Sequence, residues 1–600
     1  MKRISQVLSL FLLLTAATAM AQGPTSFRNI ATGGTIDDNL DRAYDPIELR
    51  FVEGIHFYTN LSNLTSSNEK LLNNVSDHEF LFGVSLPNPW VDNLWTAVGF
   101  QMENSENSNF VAIDPDWGFG TMPQENGFGQ LNYNYFAILD TDFDGTYDQQ
   151  QTIFQEVTDY TTNDSYSFSL NNSYLTDMGT FGVMIARDKR EMTGDLSSAG
   201  NLGTGAGPLS QYAAGSQTFD RSIAIHDIGG AYDITEWSEN GAFETTNTLS
   251  NTLFNLAYMT EWNQYEVRGD FGFNSESDLM EGSDRYHGEV VNNDPTISGY
   301  NDTYWETATF EEKQNEEGSS FMLGGSIRET FQPGSSRLTD GFWQVGAGIQ
   351  FGGCDYEASD ASRFTSEEDY FDGDNSGGVD FVETVTASEL ASDDGTADDF
   401  GFGLWGVYNR QLSDNLTFGF GAGWNHNSTN RSTDFVVRYR EVTDYNFVDA
   451  ASDDWVRTET EQFSADRSWE RTTTTFNCPV GIEYRTGKRD QWAWRCGSRF
   501  TRTSVLTTDD LQAVGSQCTP YTTEVNYDSA PDTETINNTR YGSSKEEIHS
   551  TISTSTFYYG LGYMPTENLQ IDLIYIFAGG FDLLDSDFFR DLRISITLNN

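Results

Sequence analysis

The chain has 600 residues, with 91 acidic residues against 33 basic ones and a formal net charge of −58. So large an acidic excess excludes nucleic acid and anionic lipid headgroups as partners, because both are held through basic patches, and it favours divalent cations. Aromatic residues at 14% separate it from disordered acidic chains, and four cysteines in 600 residues exclude a disulfide-stapled miniprotein.

The first 21 residues read as a secretory signal peptide. Lys2 and Arg3 are the basic start, Val7 to Leu14 the apolar core, and Ala19-Met20-Ala21 a small-x-small cleavage site. Residues 22–49 follow as an expected periplasmic segment. No later run approaches the ~20 apolar residues of a spanning helix. A mean hydropathy of −0.51 still permits a membrane β-barrel, in which lipid-facing and lumen-facing residues alternate and average out.

From residue 50 onward one unit recurs: two alternating segments joined by a short turn, then a long acidic stretch rich in Asn, Ser and Thr. A single strand, IHFYTNL, comes first, followed by a hairpin over 80–103 turning at PNPWVDN. The next long stretch holds DTDFDGTYD. There Asp140, Asp142, Asp144 and Asp148 occupy positions 1, 3, 5 and 9 of a calcium loop, with Gln151 where a Glu would close it. A hairpin over 165–188 turns at TDMG. The stretch AGNLGTGAG (199–207) has Gly-x-Gly spacing but no βαβ frame, so it reads as a loop rather than a nucleotide site.

Hairpins over 252–273 and 319–351 turn at EWNQ and QPGSSRLTD. The stretch after them contains DGDNSGGVDFVE (372–383). Asp372, Asp374 and Ser376 fall at positions 1, 3 and 5, Gly378 offers a carbonyl at 7, Asp380 stands at 9 and Glu383 closes the loop at 12. Calcium is therefore the expected cofactor, at both motifs. Hairpins over 401–425, 473–503 and 551–579 turn at LSDN, TGKRD and MPTEN, and LRISITLNN ends the chain. In the 473–503 hairpin a three-residue turn centred on Gly487 would set Cys478 opposite Cys496, as a cross-strand disulfide requires. Two small apolar thiols are the alternative for Cys478 and Cys496, and Cys354 and Cys518, in outer stretches, either pair or stay free. Pro, Gly, Asn and Asp at the turns supply hairpin backbone angles.

If the first strand rises from the periplasm, every short turn falls on the periplasmic side and every long stretch outside. Both termini then lie in the periplasm. The expectation is an all-β antiparallel transmembrane barrel over 50–600, with about 16 strands (14–18) and long acidic extracellular loops. The faces agree. Phe254, Leu256, Tyr258 and Trp262 share one face, as do Trp492, Trp494 and Phe500. The other face carries Glu266, Arg268 and Asp270, or Arg495 and Arg499. Aromatics gather beside the short turns, among them Trp90, Trp95, Trp343, Tyr484 and Tyr563, as a membrane-interface girdle does.

On these patterns the chain resembles the porin-like outer-membrane β-barrels of Gram-negative bacteria. The resemblance implies a location in the cell outer membrane, contact with its lipid, and passage of small solutes. It departs from them in ending Leu598-Asn599-Asn600, where such barrels commonly end in an aromatic residue. The six histidines are scattered, and no catalytic set can be assembled, so a non-enzymatic role is expected. Two functions fit: a channel or transporter with calcium-binding outer loops, or a surface-anchored structural or adhesive protein whose calcium-stiffened loops are the working part.

Overall fold

The structure, a computed structural model, describes residues 26–599 except 53, 63–77, 108–124, 128–129, 140–148, 194–215, 228–233, 294–301, 333–340, 371–380, 448–453, 488–489, 528–530, 533–541, 567 and 579–591. One antiparallel sheet closes on itself. β1 (His56–Ser62) pairs with β2 (His78–Pro87), β2 with β3 (Leu94–Asn107), and β3 with the lower half of β6 (Gln149–Thr176). β6 pairs with β7 (Gly179–Thr193), and β7 with the lower part of β9 (Ile234–Trp262). In simple succession come β10 (Tyr265–Asn293), β11 (Asp302–Gln332), β12 (Gly341–Tyr370), β13 (Phe381–Ser413), β14 (Leu416–Phe447), β15 (Trp455–Thr486) and β16 (Trp492–Ala513). β16 pairs with β19 (Ser544–Thr566), β19 with β20 (Leu569–Ala578) and β20 with β21 (Leu592–Asn599). β21 returns to β1, with Leu598 opposite Phe57. The ring therefore has sixteen strands, the expected number, and a closed ring leaves no edge unpaired in lipid.

Three strands of the ring are interrupted and resume above the interruption. β5 (Gln130–Leu139) continues the line of β3 along the upper half of β6. β8 (Ser216–Asp227) continues β7 between β6 and β9, and β17 (Thr519–Tyr527) continues β16 along β15. β4 (Glu125–Gly127) and β18 (Pro531–Asp532) add short pairings to β5 and β17.

The alternation read from the sequence is the inside–outside alternation of the wall. Phe254, Leu256, Phe271, Leu323, Ile349, Leu404, Ile482 and Trp494 are exposed on the outer face, while Leu253, Ala257, Ala493 and Arg495 are buried within. Phe254, Phe273, Phe321, Phe351 and Phe400 are direct cross-strand partners, a row of phenylalanines across five strands. On the same face the next outward positions are Thr252, Ser275, Ser319, Gly353 and Asp398, so this row marks the outer limit of the lipid band. The inner limit is the aromatic set beside the short turns, where Trp492 stacks on Tyr563 with ring centres 4.3 Å apart. Tyr265 to Phe273 covers the ~9–11 residues of a tilted membrane strand. At the turns, Asn93, Asn263 and Asp490 adopt positive φ of 60°, 56° and 55°.

One expectation is corrected. From β10 to β15 the described residues of the long acidic stretches are nearly all strand rather than loop, these strands running 29 to 33 residues each. Above the lipid both faces of the sheet are polar, so the two-residue alternation that betrays a strand disappears while the backbone pairing continues.

Candidate functional site: a plug in the periplasmic mouth

Residues 26–52 lie inside the end of the barrel that carries the short turns. They form two single-turn helices, Phe27–Ala31 and Asn39–Ala43, and a 3-10 turn, Glu48–Phe51. Ser26 and Asp38 cap the two helices, and Asp41 completes a capping box with Asp38. Helices this short do not hold themselves together, so the wall must hold them.

The wall makes room with glycine. A Cβ on Gly99 would stand 2.0 Å from the Tyr44 hydroxyl, and one on Gly182 would stand 2.3 Å from the Pro46 carbonyl oxygen. A Cβ on Gly481 would lie 2.2 Å from the Thr32 carbonyl oxygen, and one on Gly497 would lie 2.4 Å from the Gly33 nitrogen. These four glycines face inward on β3, β7, β15 and β16, so plug and wall are in contact around much of the mouth. Tyr44, Leu40 and Leu49 form one buried cluster with Tyr58, Leu81 and Ala97 of the wall. Ile47 packs with Ala257 and Met259.

Ion pairs reinforce the apolar contacts. Arg28 of the plug donates through Nε and Nη2 to the two carboxylate oxygens of Glu483, both at 2.8 Å. Glu483 is 1% exposed and also accepts from Arg495 at 2.8 Å and Arg485 at 2.9 Å, and Arg495 in turn bonds Asp572. Across the mouth, Asp45 of the plug accepts from Arg268 at 2.6 Å and Glu48 from Arg328 at 3.2 Å. Wall side chains cap plug carbonyls too: Asn171 donates to Ala43 at 2.9 Å, and Asn409 and Arg499 donate to Thr35 and Gly33, each at 3.2 Å. Within the plug, burial and then the neighbouring Asp38 and Asp37 carboxylates push the Asp41 carboxyl well above its ordinary value, against the lowering effect of its bonds from Ser26.

Of the lumen residues expected from alternation, Arg268, Arg495 and Arg499 belong to this site. Glu266 and Asp270 share the inner face of β10, and Asp270 accepts from Arg268. Arg28, Asp45, Glu48, Glu483 and Asp572 escaped the sequence reading. No local spacing joins Arg28 to a residue 455 positions away.

The calcium motifs stand elsewhere. Asp140, Asp142, Asp144 and Asp148, and Asp372, Asp374, Ser376, Gly378 and Asp380, lie outside the described residues. Each motif connects paired strands, since Leu139 partners Gln149 and Tyr370 partners Phe381. Glu383 is on β13, where its carboxylate accepts from the Tyr445 hydroxyl at 2.7 Å. The stretch 199–207 also lies outside the described residues. The cysteine expectation is corrected: all four cysteines are free, and Cys478 faces Phe500 while Cys496 faces Ile482. The turn occupies residues 487–491 rather than three residues, which offsets the two thiols by four positions along the ladder.

No protein-family model matches the chain, and no curated protein does. Solved structures that it resembles include the ferric enterobactin receptor of Pseudomonas aeruginosa, at 9% identity over 91% of this chain and 80% of that one, TM-score 0.26. The ferric-catecholate import receptor of E. coli K12 is 7% identical over 91% and 82%, TM-score 0.23. The alcaligin outer-membrane receptor of Bordetella pertussis is 8% identical over 91% and 76%, TM-score 0.20. These are overlaps of barrel with barrel, and no residue of this chain takes a role from them. By its own closed ring, lipid-facing band and aromatic limits, the protein is an outer-membrane β-barrel.

Proposed function

We propose that the protein is an outer-membrane channel or transporter for small solutes, gated at its periplasmic mouth by residues 26–52. The observation that carries this is the plug's attachment. It is clamped to the inner wall by Arg28–Glu483, Asp45–Arg268 and Glu48–Arg328, all charge pairs between side chains of the plug and of the wall. A sixteen-strand barrel without a plug encloses an aqueous passage. The finer reading adds calcium at 372–383 and 140–148, supported by the ligand pattern of the sequence alone.

The test is conductance of the full chain in planar bilayers, compared with a deletion of 26–52 and with Glu483→Gln. Removing the shared acceptor leaves Arg28 and Arg485 without that carboxylate and Arg495 with Asp572 alone, a loss of about 3–5 kcal/mol for a buried pair. The deletion should give large steady steps, Glu483→Gln frequent openings, and the wild type rare ones. Silence from all three would overturn the channel reading. It would favour the second one, a surface-anchored protein, for which the long strands above the lipid band speak.

A further inference from the structure

Above the phenylalanine row, one inward-facing row of cross-strand partners runs Glu276, Gly318, Cys354, Ala397, Arg431 over β10 to β14. Its three central members are small, so the wall is hollow there. The hollow encloses a cavity of about 90 Å³, lined also by Glu316, Asp399, Gln350 and Asn427. Arg431 reaches across it to Glu316 on β11 and lies 3.6 Å over the Tyr356 ring. Asp399 accepts from Thr429. The Glu276 Oε1 atom is buried and has no hydrogen-bond partner. The guanidinium is thus committed to Glu316 and lies near Asp399, whereas the charged neighbours of Glu276 are the Asp278, Asp399 and Glu316 carboxylates.

The chemistry of an occupant follows from spacing. Among the described residues no three carboxylate, imidazole or thiol groups converge closely enough to hold a metal ion. Carboxylates spread along a hollow suit a cation whose charge sits on a donor-bearing group of some length. Gln350 and Asn427 add neutral acceptors, and the volume is that of about three waters. We propose that this hollow is a lumenal binding station for the ammonium end of a small organic amine, with Glu276 and Asp399 as its anionic partners. As a step in passage, the station rests on the channel reading above; as a binding site it does not.

One property separates such a site from diffuse attraction. Burial, then the nearby Asp278, Asp399 and Glu316 carboxylates, hold Glu276 up at about 8, while Arg431 is committed to Glu316. At pH 7 the empty site is therefore mostly protonated, and a bound ammonium expels that proton. The experiment is calorimetric titration of the full-length protein in detergent with putrescine at pH 7, in two buffers of different ionisation enthalpy. Binding heat should differ between the buffers by the ionisation of about one proton. Glu276→Gln should weaken binding by tenfold or more, as loss of a charged hydrogen bond does, and abolish the buffer difference. Asp399→Asn should also weaken it, while Asp398→Asn, on the outer face, should not. No putrescine heat with the wild type, or Glu276→Gln binding as the wild type does, would overturn the proposal. Putrescine binding lost in Glu276→Gln, beside silent bilayers from the plug deletion, would sustain the station and overturn the channel.

Discussion

A single methyl group decides whether the plug can sit in the mouth. At Gly99 any side chain must displace the Tyr44 ring, since even its first carbon would overlap the hydroxyl at 2.0 Å. Gly99→Val is expected to cost plug docking about 1–3 kcal/mol, the usual cost of overpacking, while the barrel still assembles. Protease cleavage within 26–52 should rise at unchanged heat-modifiable gel migration. Equal cleavage in both proteins would mean that the wall does not hold the plug. Asp41 gives the pH dependence. Its carboxyl is raised above the ordinary 3.8 when docked, so docking takes up a proton. That contribution is fully present below about 3.8 and is lost as pH rises through the raised value. Protection of the plug should therefore increase on acidification from pH 7 towards 4, and this increase should shrink in Asp41→Asn, the remainder coming from Asp37 and Asp38, which burial also raises. The opposite slope would show that the wall pairs, not Asp41, set the response. None of this was legible in sequence. Arg28, Asp45 and Glu48 read as ordinary charges in a short polar segment, and their partners become neighbours only when the ring closes.

At the scale of one strand or hairpin, much was legible, and the reason is physical. Wherever lipid meets one face and water the other, period-two alternation is compulsory, so all seven short-turn hairpins and both single strands lie where the pattern put them. Where lipid ends, that constraint ends, and the upper halves of β10 to β15 looked like loops. Register was legible only as far as turn length was, which is why the Cys478–Cys496 pairing failed by four positions. The faces can be tested on β21, where Ile594 points outward with Leu598, and Ser595 inward. Ile594→Arg should cost ~2–4 kcal/mol at mid-membrane and reduce assembled protein, and Ser595→Arg should cost little. Equal yields would reverse the assignment. The hairpin carrying 372–383 is expected to bind calcium more tightly than that carrying 140–148, because Glu383, once released from Tyr445, would supply two oxygens where Gln151 would supply none with charge. Calcium calorimetry should show the tighter site lost in Glu383→Gln. No heat from the wild type would return the motif to an acidic turn.

For the molecule as a whole, closure does what local pattern cannot. The return of β21 to β1 fixes which side chains share the lumen, and so gathers arginines of β10, β11, β15 and β16 around a segment from the start of the chain. It also fixes how far the wall rises. On β13 the outward face turns polar at Asp398, yet pairing with β14 continues to Phe381. At ~3.3 Å per residue and a tilt near 40°, the rim stands roughly 45 Å above the lipid. The protein is then a chimney rather than a hole. On the channel reading, a solute would enter far from the bilayer and pass the inner wall of these strands before it reached the plug. A rim at that height would hold any particle wider than the barrel away from the membrane directly beneath it.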